Sequence, residues 1–174
     1  MSPPQIALEL APRGGPAGTR VQVRVLDVTG RTPILLGFGG IGSPHEILGE
    51  QVTDDDGLAE FQVTIPSWVE ADRTYLFYVA YADQRPVRFS DPFLATAEDG
   101  SVRLSGTVRG TSSCLVLDVG EAERFALLGV PTRRPPPGTQ ASVVATLAAE
   151  PGCEGLLALQ VSSIEAAGGA ESPA

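Results

Sequence analysis

Acidic residues crowd one short stretch of this chain, Asp54-Asp55-Asp56, with Glu50 and Glu60 close by in sequence. Carboxylates in such density are the ligands of choice for Ca²⁺, which takes roughly six to eight oxygens from a shaped loop. The spacing is not that of an EF-hand, and Gly57 follows at once, so the three carboxylates read first as a solvated turn that presents its charges outward. Calcium at Asp54, Asp55 and Asp56 is the minor alternative. Gly37-Phe38-Gly39-Gly40-Ile41-Gly42 matches G-x-G-x-x-G letter for letter. A dinucleotide site needs a helix after that loop to hold the pyrophosphate. Pro44 and the turn at Asp56 leave no room for one, so a strand end and loop are expected and no cofactor.

His45 is the single histidine, so any acid–base scheme must use it or do without. No G-x-S-x-G elbow supplies a nucleophile, and no Lys is present for Schiff-base chemistry. No catalytic residue is therefore assigned, and the chain is expected not to be an enzyme. Trp68, the only Trp, stands with Tyr75, Tyr78 and Tyr81 in a short span. These rings could make a platform for a sugar or a partner protein, but a β core needs most of them. Trp68, outside any strand pattern, is the one candidate for a binding surface. Cys114 and Cys153 are the only cysteines. A small β domain with two and only two Cys is expected to join them in a disulfide, which closes a large loop at a gain of roughly 3 to 4 kcal/mol.

The elements that would position these groups are strands. Among 174 residues there are 20 Gly and 15 Pro, and no long segment repeats with the helical period. An all-β chain with many tight turns follows. Asp56-Gly57 falls between a run ending at Thr53 and the alternating run Ala59, Phe61, Val63, Ile65, which predicts a two-stranded hairpin. Pro66 ends that run. Tyr75 to Tyr81 is apolar on both faces and reads as a central strand. Val87 and Phe89 form a returning strand. Before these, Ile6 to Leu10, Val21 to Val25, Ile34 to Phe38 and Ile47 to Val52 are short strands, which makes about seven in the first half, the spacing of a sandwich.

Pro16-Ala17-Gly18-Thr19 running into Val21 and Val23, Leu36-Gly37-Phe38-Gly39-Gly40, Thr53 to Gly57 with Phe61 to Pro66, the Tyr-rich strand and a closing Phe93 to Thr96 together resemble bacterial immunoglobulin-like domains of the IPT/TIG kind. The likeness covers roughly Pro4 to Thr96 and implies an immunoglobulin-like β-sandwich, with no catalytic residues carried over. The polar turn Ala97 to Gly100 marks the domain boundary, giving a sandwich over 1–97. Beyond it, strands at Val102 to Val108, Leu115 to Leu117, Phe125 to Leu128, Ala141 to Leu147 and Leu156 to Ile164 resemble an OB-type barrel, a small β-barrel domain over 98–165. Residues 166–174, rich in Gly, Ala and Glu, are expected to be a disordered tail.

The net charge is −9, and all 12 basic residues are Arg. An acidic surface without a basic cluster, and a barrel with Phe125 as its only aromatic, point away from nucleic acid. No apolar run is long enough to span a bilayer as a helix. The absence of Lys and Asn reads as the codon bias of a GC-rich, bacterial genome. The expected role is a structural or adhesive module of the bacterial surface or envelope, engaged with a protein partner or with itself, its export signal removed. The alternatives are a decorating or spacer subunit of a large assembly made in the cytoplasm, such as a phage particle or injection apparatus, and a carbohydrate-binding accessory module resting on Trp68.

Overall fold

The computed structural model describes residues 5–40, 43–83, 85–111, 113–120, 123–131, 133–150 and 152–166. Its regular structure is β throughout, apart from one turn of 3₁₀ helix, and it divides into two compact units between Ala95 and Thr96.

Among the described residues the first unit has nine strands: β1 (Ala7–Ala11), β2 (Gly14–Gly15), β3 (Arg20–Leu26), β4 (Pro33–Gly39), β5 (His45–Val52), β6 (Ala59–Thr64), β7 (Arg73–Ala80), β8 (Pro86–Phe89) and β9 (Phe93–Ala95). One sheet is ordered β1-β3-β6, and the other β2-β9-β7-β4-β5 with β8 also on β7. In β3 and β6 burial alternates residue by residue, so Val21, Val23, Val25, Phe61 and Val63 face the second sheet while Arg20, Gln22, Arg24, Glu60 and Gln62 face water. That period of two is what a half-buried strand requires. β4 and β7 are central and buried at most positions. Phe38 lies at the middle of the core, with ring centroids of Phe77 at 4.8 Å and Tyr75 at 5.4 Å.

β8 and β9 pair with the same side of β7, one at each end. Ser90 stands at the break between them. Its backbone N–H donates to Phe77 O (2.8 Å), its hydroxyl accepts from Phe77 N–H (3.0 Å) and donates to Asp91 O (2.7 Å). A side chain thus takes over the pairing at the point where the strand is interrupted.

The hairpin expected at Asp56-Gly57 does not form. β5 belongs to one sheet and β6 to the other, and the turn carries the chain between them. The reason is that this loop, closed on itself by Asp54 N–H donating to Leu58 O (2.9 Å), is also committed to another loop. The buried Thr53 hydroxyl donates to Thr29 O (2.7 Å) and accepts from Thr32 N–H (2.9 Å), and Arg31 N–H donates to Asp54 O (3.1 Å). Gly57, at φ 80°, lies so close to Val28 that a Cβ there would sit 1.8 Å from its carbonyl oxygen. Asp-Gly satisfies the local turn chemistry in either topology, and the tertiary hydrogen bonds decide between them.

Among the described residues the second unit has five strands: β10 (Ser101–Thr111), β11 (Cys114–Gly120), β12 (Glu123–Leu128), β13 (Gln140–Leu147) and β14 (Ala158–Ala166). They close a barrel in the order β10-β11-β12-β14-β13, with β13 returning to β10. Long β10 serves both neighbours, pairing with β13 over Ser101 to Thr107 and with β11 over Thr107 to Thr111. All pairs are antiparallel except β12 with β14. Val102, Leu104, Val108, Leu117, Phe125, Val143 and Leu159 fill the interior. β14 pairs through Glu165 and Ala166 with Ser142 and Ala141, so the strand takes in Ala166, the first residue of the expected tail. Ladder hydrogen bonds need no apolar side chain, which is why composition alone misplaced that end. The remainder, 167–174, lies outside the described residues. In the turn before β10 the Asp99 carboxyl is held below its ordinary range, first by the Ser101 hydroxyl (2.6 Å) and then by the Ser101 N–H (2.9 Å). Such a carboxylate favours the folded turn above the usual carboxylate range and loses that contribution as pH falls through its lowered pKa.

On β4, Gly37 lies directly opposite Tyr78, whose ring lies over it; a Cβ at Gly37 would come within 2.0 Å of the ring. Gly37→Ala is expected to cost about 1 to 3 kcal/mol through overpacking. In a Tyr78→Ala background most of that cost should vanish, as urea unfolding of the four proteins of the cycle would show. Equal cost in both backgrounds would assign Gly37 to backbone strain instead.

Candidate functional site

Two of the three acidic residues of the 54–56 turn have local partners. Asp54 Oδ1 accepts from the N–H groups of Asp56 and Leu58, both at 2.9 Å, which builds the turn from within. Asp55 pairs with Arg31 across the adjoining loop. All three are exposed, and among the described residues no group of three or more His, Cys, Asp or Glu is placed to hold a metal ion. Asp54→Ala removes a cap of the kind worth roughly 1 kcal/mol and is expected to destabilise the first unit by about that much. Melting of the wild type with CaCl₂ and with EDTA should coincide; a rise with calcium would return these carboxylates to a metal site.

The glycine motif is divided by its surroundings. Gly37 and Gly39 are buried in β4, paired across to β7 and β5, while Ile41 and Gly42 lie outside the described residues. In β4 the glycines make room for side chains of the neighbouring strands: Tyr78 over Gly37 and the His45 ring over Gly39. His45 is exposed on β5, and its ring centroid is 6.1 Å from that of Tyr78.

Trp68 is half-buried and packs on the aromatic core, 5.7 Å from Phe38 and 5.8 Å from Tyr75 between ring centroids. The loop that carries it is anchored from inside. The hydroxyl of buried Tyr75 accepts from Glu70 N–H at 2.8 Å. The four rings therefore share no single surface: Trp68, Tyr75 and Tyr81 pack on the core side, and Tyr78 points to the opposite face of its sheet.

That opposite face carries a cluster the sequence pattern did not single out. Leu36, Phe38, Phe77 and Val79 point into the sandwich, so Gly37 and Tyr78 point out. Register then places Ile47 of β5, Gly37 of β4, Tyr78 of β7 and Phe89 of β8 in one row across four strands. Phe89 packs on Tyr78 at 6.0 Å. Val52, opposite Pro33 two residues outward of Leu35, shares the same side. Among the described residues the exposed large hydrophobics are Ile47 (40%), Val52 (61%), Val87 (43%) and Phe89 (51%), all on β5 and β8. The signal available in sequence was the row itself, but it emerges only when four strands are set in register.

In the second unit, Cys114 and Cys153 are joined, with Cα atoms 5.8 Å apart and a sequence separation of 39. The bond ties the start of β11 to the 3₁₀ turn Cys153–Gly155 that precedes β14. Arg124 of β12 reaches Glu154 of that turn at 3.8 Å. Beside the disulfide is a cleft of about 330 Å³. On the barrel's outer surface a polar row joins Gln140 to Thr107 (2.7 Å) and Arg109 to Asp118 (3.2 Å).

The chain matches no protein-family model and no curated protein by sequence.

Among the described residues no helix is long and apolar enough to cross a membrane. With a loop of this length, replacing both cysteines by serine is expected to lower the stability of the second unit by about 4 kcal/mol. Two-probe denaturation, following Trp68 in the first unit and far-UV signal in both, would show the barrel melting earlier and the Trp68 transition unmoved.

Proposed function

We propose that this chain is a non-enzymatic structural or adhesive protein of a bacterial surface or envelope, and that it works by holding another protein on the outer face of β5, β4, β7 and β8. The observation that carries the reading is the concentration of exposed large hydrophobics on β5 and β8, flanking the Tyr78 row. Contiguous apolar surface of this kind is costly to leave in water and is characteristic of contact sites. Aromatic side chains are the usual anchors of such contacts because they bury much area for little lost freedom.

The edge next to this face is guarded. β5 ends the sheet, but it carries Glu46 and Glu50 and a bulge at Leu48, and charges and bulges discourage indiscriminate strand pairing. Recognition through the side-chain face rather than through the open edge follows. The disulfide supports a life outside the reducing cytoplasm. The two-sheet arrangement supports the immunoglobulin-like reading of the first unit, and the closed five-strand order, with its one parallel pair, supports the OB-type reading of the second.

The test places a photo-cross-linking residue at Val52 in cells of the native source, with the same residue at exposed Thr64 on the other sheet as control. A discrete adduct is expected from Val52 and none from Thr64. Adding Ile47→Ser and Phe89→Ser should reduce the Val52 adduct at least tenfold while the melting temperature holds, in line with loss of about 1 to 2 kcal/mol per anchor. Equal labelling at the two positions would remove the outer face as the contact site.

A further inference from the structure

The loop that carries the chain from β12 to β13 contains Arg133-Arg134-Pro135-Pro136-Pro137-Gly138. Proline fixes its own φ at about −65° and holds the residue before it in extended backbone. Three prolines in a row therefore commit Arg134, Pro135 and Pro136 to the polyproline II conformation, with no ladder needed to hold them. Pro137 continues it as the first corner of a turn. Gly138 follows at φ 92°, and Thr139 N–H donates to Pro136 O at 3.2 Å, the pattern of a type II turn. That turn is fastened to the barrel wall, where Gly138 N–H donates to Val108 O (2.6 Å) and Val108 N–H donates to Thr139 O (2.9 Å). The segment is stiff by its own chemistry and anchored at one end.

Burial follows the same geometry. A polyproline helix has about three residues to a turn, so Arg134 and Pro137 share one edge, Pro136 lies on a second and Pro135 on the third. Pro135 is half-buried, and Arg134, Pro136 and Pro137 are exposed. One edge thus rests on the protein and two face water, over about 12 Å at about 3.1 Å per residue. Arg133 is exposed as well, and neither it nor Arg134 makes an ion pair or hydrogen bond among the described residues. By contrast Arg24, Arg31, Arg73, Arg109 and Arg124 each reach a carboxylate. In a chain of net charge −9, two adjacent unpaired cations beside exposed prolines are a local reversal of sign.

The chemistry of the segment selects its partner. Two cations cannot hold a nucleic acid or another polyanion against that net charge, because such binding needs several phosphate contacts at once. Prolines add nothing to phosphate recognition, since they carry no N–H, and for the same reason Pro135 to Pro137 cannot donate to the edge of a sheet. What they present is pyrrolidine rings and carbonyls, and the carbonyls of Arg134 and Pro135 accept no hydrogen bond among the described residues. A groove of aromatic side chains takes such rings, its indole N–H and tyrosine O–H groups take the carbonyls, and a carboxylate beside it takes the guanidinium. A segment already ordered loses little freedom when it docks.

We propose that Arg133 to Pro137 is a docking segment for a partner domain with an aromatic groove rimmed by carboxylates, with Pro136 and Pro137 entering the groove and Arg133 and Arg134 meeting the acidic rim. This surface belongs to the second unit and does not depend on the contact face of the first.

The probes are purified SH3 domains chosen for acidic residues beside the aromatic groove, the same domains with the groove tryptophan replaced by alanine, and polyphosphate. Each is titrated into the ¹⁵N-labelled full chain with the disulfide intact. At least one SH3 domain is expected to bind and to shift the Arg134, Gly138 and Thr139 amides, and its alanine form should bind at least tenfold more weakly. Pro136→Ala and the double variant Arg133→Gln with Arg134→Gln should each weaken binding by the same factor, while barrel amides outside the loop keep their positions and so report an intact fold. No saturable shift with any SH3 domain would overturn the proposal, as would undiminished binding by Pro136→Ala. Polyphosphate binding as tightly as the best domain, lost in the double variant and kept in Pro136→Ala, would make the segment an anion site and overturn it too.

Discussion

A single hydroxyl, that of Thr53, holds together two of the five places where the first unit changes sheets. A sandwich must send its chain from one sheet to the other, and each crossing exposes backbone groups that no ladder satisfies. Here the β3–β4 and β5–β6 crossings satisfy each other: Thr53 accepts from one residue of the neighbouring loop and donates to another, and Asp54 and Gly57 continue the exchange with Arg31 and Val28. The order of the strands follows from this mutual arrangement. With the crossings tied, β5 is delivered to the edge of the larger sheet and β6 to the edge of the smaller one, and Gln51 of the first donates to the Glu60 carbonyl of the second at 2.6 Å.

How much of this was legible in the residues depends on the range over which each signal acts. Most strands could be read because burial alternates along them, and alternation is a local property: Val21, Val23 and Val25, or Phe61 and Val63, declare their face without reference to anything distant. The Cys114–Cys153 bond was legible because there were only two cysteines to join. The Asp56-Gly57 turn was legible as a turn and misread as a hairpin, because turn residues specify a reversal of direction and say nothing of which sheet receives the chain. β2 escaped notice altogether, since two glycines paired in parallel with β9 carry no pattern.

The contact face was illegible for a related reason. Ile47, Gly37, Tyr78 and Phe89 are scattered over more than forty residues, and each looks ordinary in its own strand. Trp68 drew attention because it is rare and lies in a loop. Its loop proves to be fastened by the Tyr75 hydroxyl, and its ring belongs to the edge of the core. Rarity of a residue type measures what a chain spends, whereas exposure of an ordinary residue measures what the fold leaves unsatisfied, and only the second depends on register.

The two units dispose of their strand edges differently. In the sandwich β5, β4, β7 and β8 are laddered side by side, with bulges on β5 and β8, and the large hydrophobics left exposed lie on those two strands. In the barrel the side chains are well sorted between interior and surface, and the strands close on one another in a ring. Closing a barrel of five strands demands that β10 serve two neighbours and that β12 accept a parallel partner in β14. A sheet that ends in strands must place its leftover apolar area on a face or an edge, whereas a sheet closed on itself has no edge to leave, so the first unit is where exposed apolar side chains gather.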